Sequence, residues 1–439
     1  MSRIDALVDP RDEDRVTYSL RHLLYMALVM VTGHSPSRRE FDRDVRTDGF
    51  RRNFAKLIDE ETDQVAVADT MDYLMQKMPE GSGLESICAD LVKDLIRKRA
   101  LEDFRFDGSY LFAVDGTKLH SFGGKQHCPN CLKVEHSNDR TEFFHSVVEA
   151  KLITEDGLAF SVGTEFVENS EPEYVKQDCE LKAFYRLAEV LYARFPRLPV
   201  ILLMDSLYAN DKVLKICTAN RWSYFLSFKE GSIPTLYARM RKEFARKPSN
   251  HAVFADDDEE LVCNWAHNLK YGAHELHAVR CIVTNKKTGK SYKFVYLTDL
   301  RPDEKNIRHM INNGGRQRAK IENQGFNVQK NHGYNLVEGY GHQELAYKNY
   351  YYITQIAHLL LQLIGHTNLH NRLAQKPLGS STTKAPVLVG MLTALAVNQS
   401  FSRLAKSINE AFRFGRVPEM ANAIELAQSV HLRFCFDSS

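Results

Sequence analysis

The sequence predicts an α/β protein: a mixed sheet flanked by helices, with a β-rich insertion and helical N- and C-terminal regions. Three observations predict it. Helical periodicity dominates residues 1–104. From Tyr110 the pattern switches to short apolar runs and amphipathic stretches in the order strand, strand, strand, helix, strand, helix, strand. Residues 230–301 then break that rhythm with four strand-like pieces. A chain of 439 residues is long enough for roughly three domains. The reading divides it into a helical region 1–104, a core in two parts (105–229 and 302–365) split by the insertion 230–301, and a helical region 366–439.

In chain order, Tyr18 to Val31 and Phe54 to Met78 have apolar residues at helical spacing, with Gly33-His34-Ser35-Pro36 as a break. Ser37-Arg38-Arg39-Glu40 has the form of a helix cap. This domain is net acidic, so packing is at least as good a reading as DNA binding. Tyr110 to Val114 is a short strand ending in Asp115-Gly116. Phe143 to Thr154 and Leu158 to Phe166 follow, joined by the turn Glu155-Asp156-Gly157. Glu173 to Phe195 reads as an amphipathic helix, and Pro199 to Met204 as a buried strand ending in Asp205. A helix (Asn210 to Asn220), a strand (Trp222 to Phe228) and a short helix (Ile233 to Ala245) come next. The insertion strands are His251 to Ala255, Glu260 to Trp265, His274 to Thr284 and Ser291 to Thr298. Pro302 to Asn312 is helical, and Gly314-Gly315 is expected to break it before a new helix. Leu345 to Ile364 is apolar and Tyr-rich, 377–384 reads as a linker, and 385–430 as helical.

Apolar content of 44% and charged content of 26% describe an ordinary soluble chain. The apolar run Leu23 to Val31 is too short to span a bilayer, and no small-residue cleavage site follows it, so neither a membrane nor a secretory signal is expected. Eight irregularly spaced Cys do not describe a disulfide scaffold, and a reducing cytoplasm is expected. The net charge of +2 is unevenly spread. Residues 1–100 carry 16 Lys+Arg against 19 Asp+Glu, or −3; residues 301–439 carry 16 against 9, or +7. A basic last third favours a nucleic-acid face there.

Within it, Lys305 to His332 holds Lys305, Arg308, Arg316, Arg318, Lys320 and Lys330 with one acid, Glu322. Such neighbours keep Glu322 ionised and suit a polyanion. A carboxylate facing a polyanion is repelled unless a cation lies between them, which suggests a divalent metal. The competing reading is an exposed helix with the i,i+4 pair Arg318–Glu322. Asp115 and Asp205 each follow a buried strand run, where functional groups of such sheets collect. Together with Glu322 they would suit two Mg²⁺ ions about 3.5–4 Å apart, placed to act on a phosphate.

Val114-Asp115-Gly116-Thr117, Met204-Asp205-Ser206-Leu207-Tyr208 and Arg318-x-x-x-Glu322 resemble the three signatures of DDE transposases with a ribonuclease-H-like core. The β-rich insertion before the Glu is similar to that of the bacterial insertion-sequence group marked by a Tyr-Arg-Glu-Lys signature. The resemblance covers roughly residues 105–365. It implies cut-and-paste cleavage and strand transfer by Asp115, Asp205 and Glu322, with two Mg²⁺ (or Mn²⁺) per active site. It implies Arg318 as a phosphate contact. It further implies double-stranded terminal repeats and target DNA as partners, a homodimer on DNA, and a nucleoid-associated cytoplasmic protein. Two positions depart from the pattern: Gly315 stands where the signature Tyr belongs, and Gln329 where its Lys belongs, with Lys330 one place later. Arg316, Lys320 and Lys330 are the other expected DNA contacts. The rivals are a ribonuclease-H-fold nuclease without strand transfer and a transposon-derived, non-catalytic DNA-binding protein.

Cys128-Pro-Asn-Cys131 forms half of a zinc-type ligand set. Cys179, with His145 or His136, is the candidate other half; the alternative is a tight turn with ordinary thiols. Trp265 in the insertion is a candidate for stacking on an unpaired base, against the plainer reading of a core Trp. The run Tyr347, Tyr350, Tyr351, Tyr352 reads as packing. Asp178 and Glu180 read as a solvated helix start rather than as a fourth acid.

Overall fold

The computed structural model describes residues 2–124, 126, 128–137, 140–169, 176–367 and 434. The expected linker 377–384 and helical stretch 385–430 lie outside these. The N-terminal part is helical: α1 (Ser2–Asp5), α2 (Leu20–Thr32), α3 (Arg38–Asp44), α4 (Asp48–Ile58), α5 (Ala68–Lys77) and α6 (Ile87–Arg97). Ser19 and Ser37 cap α2 and α3 with side-chain oxygens, accepting from His22 N and Glu40 N. Phe54 to Met78 is not one helix. Asp59 turns left-handed at φ 54°, closing α4, and α5 starts only at Ala68.

The sheet contains β1 (Tyr110–Gly123), β2 (Leu132–Glu135), β3 (Thr141–Ile153), β4 (Ala159–Val167), β5 (Val200–Met204), β6 (Ser223–Ser227), β7 (His251–Ala255), β8 (Glu259–Tyr271), β9 (His274–Asn285) and β10 (Ser291–Thr298). Its order is β3-β1-β5-β6-β10-β9-β8-β7, with β2 and β4 both pairing with β3. β1, β5 and β6 are parallel to one another, and every other pairing is antiparallel. The four strands of residues 230–301 therefore continue the sheet through the β6–β10 pair. Helices α7 (Glu180–Arg194), α8 (Asp211–Asn220) and α9 (Pro234–Arg246) connect the strands. Of the expected helix from Glu173, residues 173–175 lie outside the described residues, and α7 begins at Glu180.

After β10 comes an irregular helical run, from α10 (Ile307–His309) to α11 (Asn327–Asn331). Gly314-Gly315 does not break it; the turns change pitch instead, to π over Met310–Gly314, 3₁₀ over Gly315–Arg318 and π again over Ile321–Phe326. The glycines are needed for close packing on the sheet. A Cβ on Gly314 would meet Phe225 at 2.8 Å, and one on Gly315 would meet Tyr296 at 2.7 Å. Helix α12 (Glu344–His366) completes the described fold and packs on α2 and α5. No described helix is long and apolar enough to cross a membrane.

Strand alternation sorts the core into two faces. Tyr110, Phe112 and Val114 of β1, with Val200, Leu202 and Met204 of β5, pack in the core that includes α2, α6 and α7. Leu111, Ala113, Ile201 and Leu203 pack on the other face with Ile307, Met310, Ile311, Ile321 and Phe326 of the irregular run.

Candidate functional site

Asp115 does not end its strand. β1 continues to Gly123 because β3 goes on pairing with it; only the pairing with β5 stops, at Ala113↔Leu203. Asp115 and Asp205 each lie two residues past that last pair, Asp205 just beyond the end of β5, and the Asp205 charge acts on Asp115. Both continue the Leu111–Ala113 and Ile201–Leu203 alternation, so both belong to the face covered by the irregular run. That run brings Arg318, whose Nη1 donates to Asp115 Oδ2 at 2.9 Å. Asp205 Oδ1 accepts from Leu207 N at 2.7 Å, capping the turn after β5.

The fourth participant is Glu180, which the sequence pattern places in solvent. It begins α7 and approaches from the opposite face of β1. Gly116 leaves the room: a Cβ there would lie 2.6 Å from Glu180 Oε2. Tyr208, fully buried, donates its hydroxyl to Glu180 Oε1 at 2.8 Å. Burial raises the pKa of Asp115, with Arg318 opposing and the Asp205 charge reinforcing the rise. Burial also raises that of Glu180, reinforced by the charges of Asp115 and Asp205. Three carboxylates thus share one partly buried end of the sheet, with Arg318 the cation paired to Asp115. By contrast, Asp178 pairs with Arg186 at 2.9 Å.

Glu322 lies one turn beyond Arg318 and is exposed. Its carboxylate joins no hydrogen bond or ion pair among the described residues, so the i,i+4 pair with Arg318 in the competing reading does not form. Nor do the Asp115, Asp205 and Glu322 oxygens close into a ligand set: among the described residues, the group of three or more metal-binding side chains whose ligand atoms lie within 4.8 Å of one another is Cys128, Cys131 and His145. The charge of Arg318 goes to Asp115 instead, because the 3₁₀ turn sets it against β1.

The expected DNA contacts are mostly engaged inside the chain. Arg316 donates to Glu259 Oε2 at 2.8 Å and Oε1 at 3.2 Å, tying the run to β8. The Lys320 ammonium donates to the Glu155 carbonyl, and burial lowers its pKa. Lys330 sits 5.8 Å from the centroid of Phe326, half-buried. Gln329 is fully buried and donates to Gln355 Oε1 at 2.8 Å. Trp265 is 5% exposed in the core of the second face, so it offers no stacking platform and is the core Trp of the plainer reading. Free positive charge lies instead along α9 and the adjoining strand end. A groove there is lined by Arg239, Lys242, Arg246, Lys247, Lys270 and Arg301, and the acid beside them, Glu243, pairs with Arg246 at 2.7 Å. Arg239, Lys242, Arg246 and Lys247 recur at helical spacing in one stretch of sequence, a signal that the charge totals by region pass over, whereas Lys270 and Arg301 reach the patch from distant segments.

At the far end of β1 and β3, Cys128 Sγ lies 2.6 Å from Cys131 Sγ, and His145 Nε2 lies 3.5 Å and 3.7 Å from the two sulfurs. His136 is not with them; it pairs with Glu142 at 3.0 Å. Nor is Cys179, which is exposed at the start of α7.

No family model and no curated protein matches the chain.

Proposed function

We propose that the chain is a metal-dependent DNA-processing enzyme of the DDE transposase type, cutting and joining strands at the ends of a mobile element. The observation that carries the reading is Asp115 paired with Arg318 of the helical run, with Asp205 just past the end of the adjacent parallel strand, each acid two residues beyond the last register pair Ala113↔Leu203. The order β4-β3-β1-β5-β6, three antiparallel strands followed by two parallel ones, supports a ribonuclease-H-like core. The insertion of β7 to β10 immediately before the Arg318 and Glu322 run supports the same family.

The donor set suits a hard divalent cation: carboxylate oxygens, partly exposed, with Asp115 and Glu180 held in raised-pKa states by burial first and by the nearby charge of Asp205. Asp115 and Asp205 would hold Mg²⁺ or Mn²⁺, with Glu180 beside them and Glu322, exposed one turn beyond Arg318, as the third expected acid. Such an ion supplies an activated water and neutralises charge on the phosphate being attacked. Arg318 offsets the carboxylate charge, so that a DNA phosphate approaches a less repulsive site. Tyr208 fixes Glu180 by its hydroxyl, and Gly116 leaves room for the Glu180 carboxylate against β1. The basic groove on α9 is suited to the phosphate backbone.

The test is nicking of duplex DNA with Mg²⁺ or Mn²⁺, followed by transfer of a 3′-OH oligonucleotide to a second duplex. Nicking that chelator abolishes, with transfer products, supports the reading. Nicking without transfer would leave a nuclease, and DNA binding with no metal-dependent cleavage would leave a binding protein.

A further inference from the structure

We propose that Cys128, Cys131 and His145 bind one structural Zn²⁺, which clamps the first loop of the sheet to β3. The sequence puts two thiols three residues apart, and the fold supplies the third donor. β2 pairs with β3 from Leu132↔Phe144, and one further step of that antiparallel register sets Cys131 opposite His145. The three ligand atoms lie within 4.8 Å of one another.

The surroundings fit a buried metal clamp better than reactive thiols. His145 is fully buried and Cys131 is 1% exposed. The His145 ring stacks on Tyr347 of α12, with centroids 4.0 Å apart and planes at 21°. Cys131 N donates to Cys128 O at 3.4 Å, and Asn169 Nδ2 donates to Cys131 O at 3.0 Å. The turn is therefore held from both sides before any metal arrives. His145 Nε2 faces the sulfurs while its buried Nδ1 has no hydrogen-bond partner. Coordination through Nε2 would place the ring proton on Nδ1 and settle the tautomer. The neighbouring His120 is committed elsewhere, through Nδ1 to the Val337 carbonyl at 2.7 Å.

Two thiolates and an imidazole are a soft set that selects zinc over the magnesium suited to the acids. Zinc completes four-coordination with a water or other added donor. Binding displaces the thiol protons to solvent, and its free energy adds to folding.

The experiment uses the full chain, purified without chelator and equilibrated with buffered zinc. The expected content is about one zinc per chain, retained by Cys179→Ser and lost by Cys131→Ser. Replacement by cobalt(II) should give a thiolate-to-metal charge-transfer band that persists in Cys179→Ser and falls in Cys128→Ser. Should His145→Ala or Cys131→Ser fail to fold, removal of metal from the wild-type chain by a chelator keeps the test open: the melting temperature should fall and return when zinc is added back. Wild-type chain that takes up no zinc, loss of zinc in Cys179→Ser, or a Cys128–Cys131 disulfide in protein purified under reducing conditions would each overturn the proposal.

Discussion

The two candidate metal sites lie on neighbouring paired strands, β1 and β3, and differ in almost everything else. Asp115 pairs with Glu149 on β3, and His145 lies four residues earlier on the same strand. That is roughly 13 Å of strand length. The acid site draws residues from β1, β5, α7 and the irregular run, and it remains partly exposed with an excess of negative charge. The thiol site is made by one turn and the strand beside it, is largely buried, and uses soft sulfur and imidazole donors. Exposure and uncompensated charge belong to a site that admits a substrate; burial and soft donors belong to one that holds a fold together. If this contrast is sound, the acid site should lose chemistry without losing stability, and the thiol site the reverse.

The largest expected effect tests that directly. Asp115→Asn and Asp205→Asn should reduce metal-dependent nicking to background while the melting temperature stays near the parent's, since each keeps an oxygen to accept from Arg318 or Leu207 N and removes a charge that repels its neighbour. Cys131→Ser should lower the melting temperature and retain nicking at temperatures where the variant is folded. Nicking that survives in both acid variants would remove Asp115 and Asp205 from the chemistry.

Next in size is Gly116→Ala. Its methyl would lie 2.6 Å from Glu180 Oε2, so the carboxylate must leave its hydrogen bond from Tyr208. Nicking should fall substantially, and Glu180→Ala alone should fall similarly if Glu180 assists the pair. In a double variant the two losses should not add, because both changes displace the same group. Additive losses would show that Gly116 serves the backbone of β1 rather than Glu180.

These cases show what a sequence can carry. The switch from helical to strand patterning at Tyr110, the strands of the insertion and the turn at Gly157 are local, and each leaves a local mark. Asp115 and Asp205 are visible too, because each follows an apolar run that one strand of the sheet explains. Glu180 is not, because its role depends on a missing side chain across the sheet, at Gly116. Gly314-Gly315 suggests a break because glycine usually marks one; here tertiary packing against Phe225 and Tyr296 requires it. Arg316 and Lys320 suggest a DNA face because charge pattern along a chain does not show which cations the fold pairs internally. Cys179 is suggested by its place at the end of the sheet, whereas strand register selects His145.

A smaller effect concerns how DNA reaches the acid site. Charge removal at Lys242, Lys247 and Arg301 should weaken duplex binding and flatten its salt dependence, by about 0.9 in log K against log salt for each phosphate no longer neutralised. Arg316→Ala should leave that slope unchanged and destabilise the chain, because its guanidinium is held by Glu259. A flattened slope in Arg316→Ala, or an unchanged one in the triple variant, would move the DNA path from α9 to the irregular run.

The smallest effect sharpens the contrast through pH. Asp115 and Glu180 have folded-state pKa values above their ordinary ones, from burial first. An acid of that kind binds more protons folded than unfolded over the interval between its two pKa values. Stability from this site therefore falls as pH rises from the ordinary carboxylate range through the raised folded values, and the penalty is constant above them. Mg²⁺ binds the ionised form and should offset the penalty, so its stabilisation should be larger at neutral pH than near pH 4. At tenfold excess over its Kd an ion that binds only the folded state contributes about 1.4 kcal/mol. Thermal melts of the wild-type chain with and without Mg²⁺ across that range measure it. The increment should vanish in an Asp115→Asn, Asp205→Asn double variant and persist in Cys131→Ser. A magnesium increment that does not grow with pH, or that disappears with Cys131, would show that the acids are not where the hard cation binds.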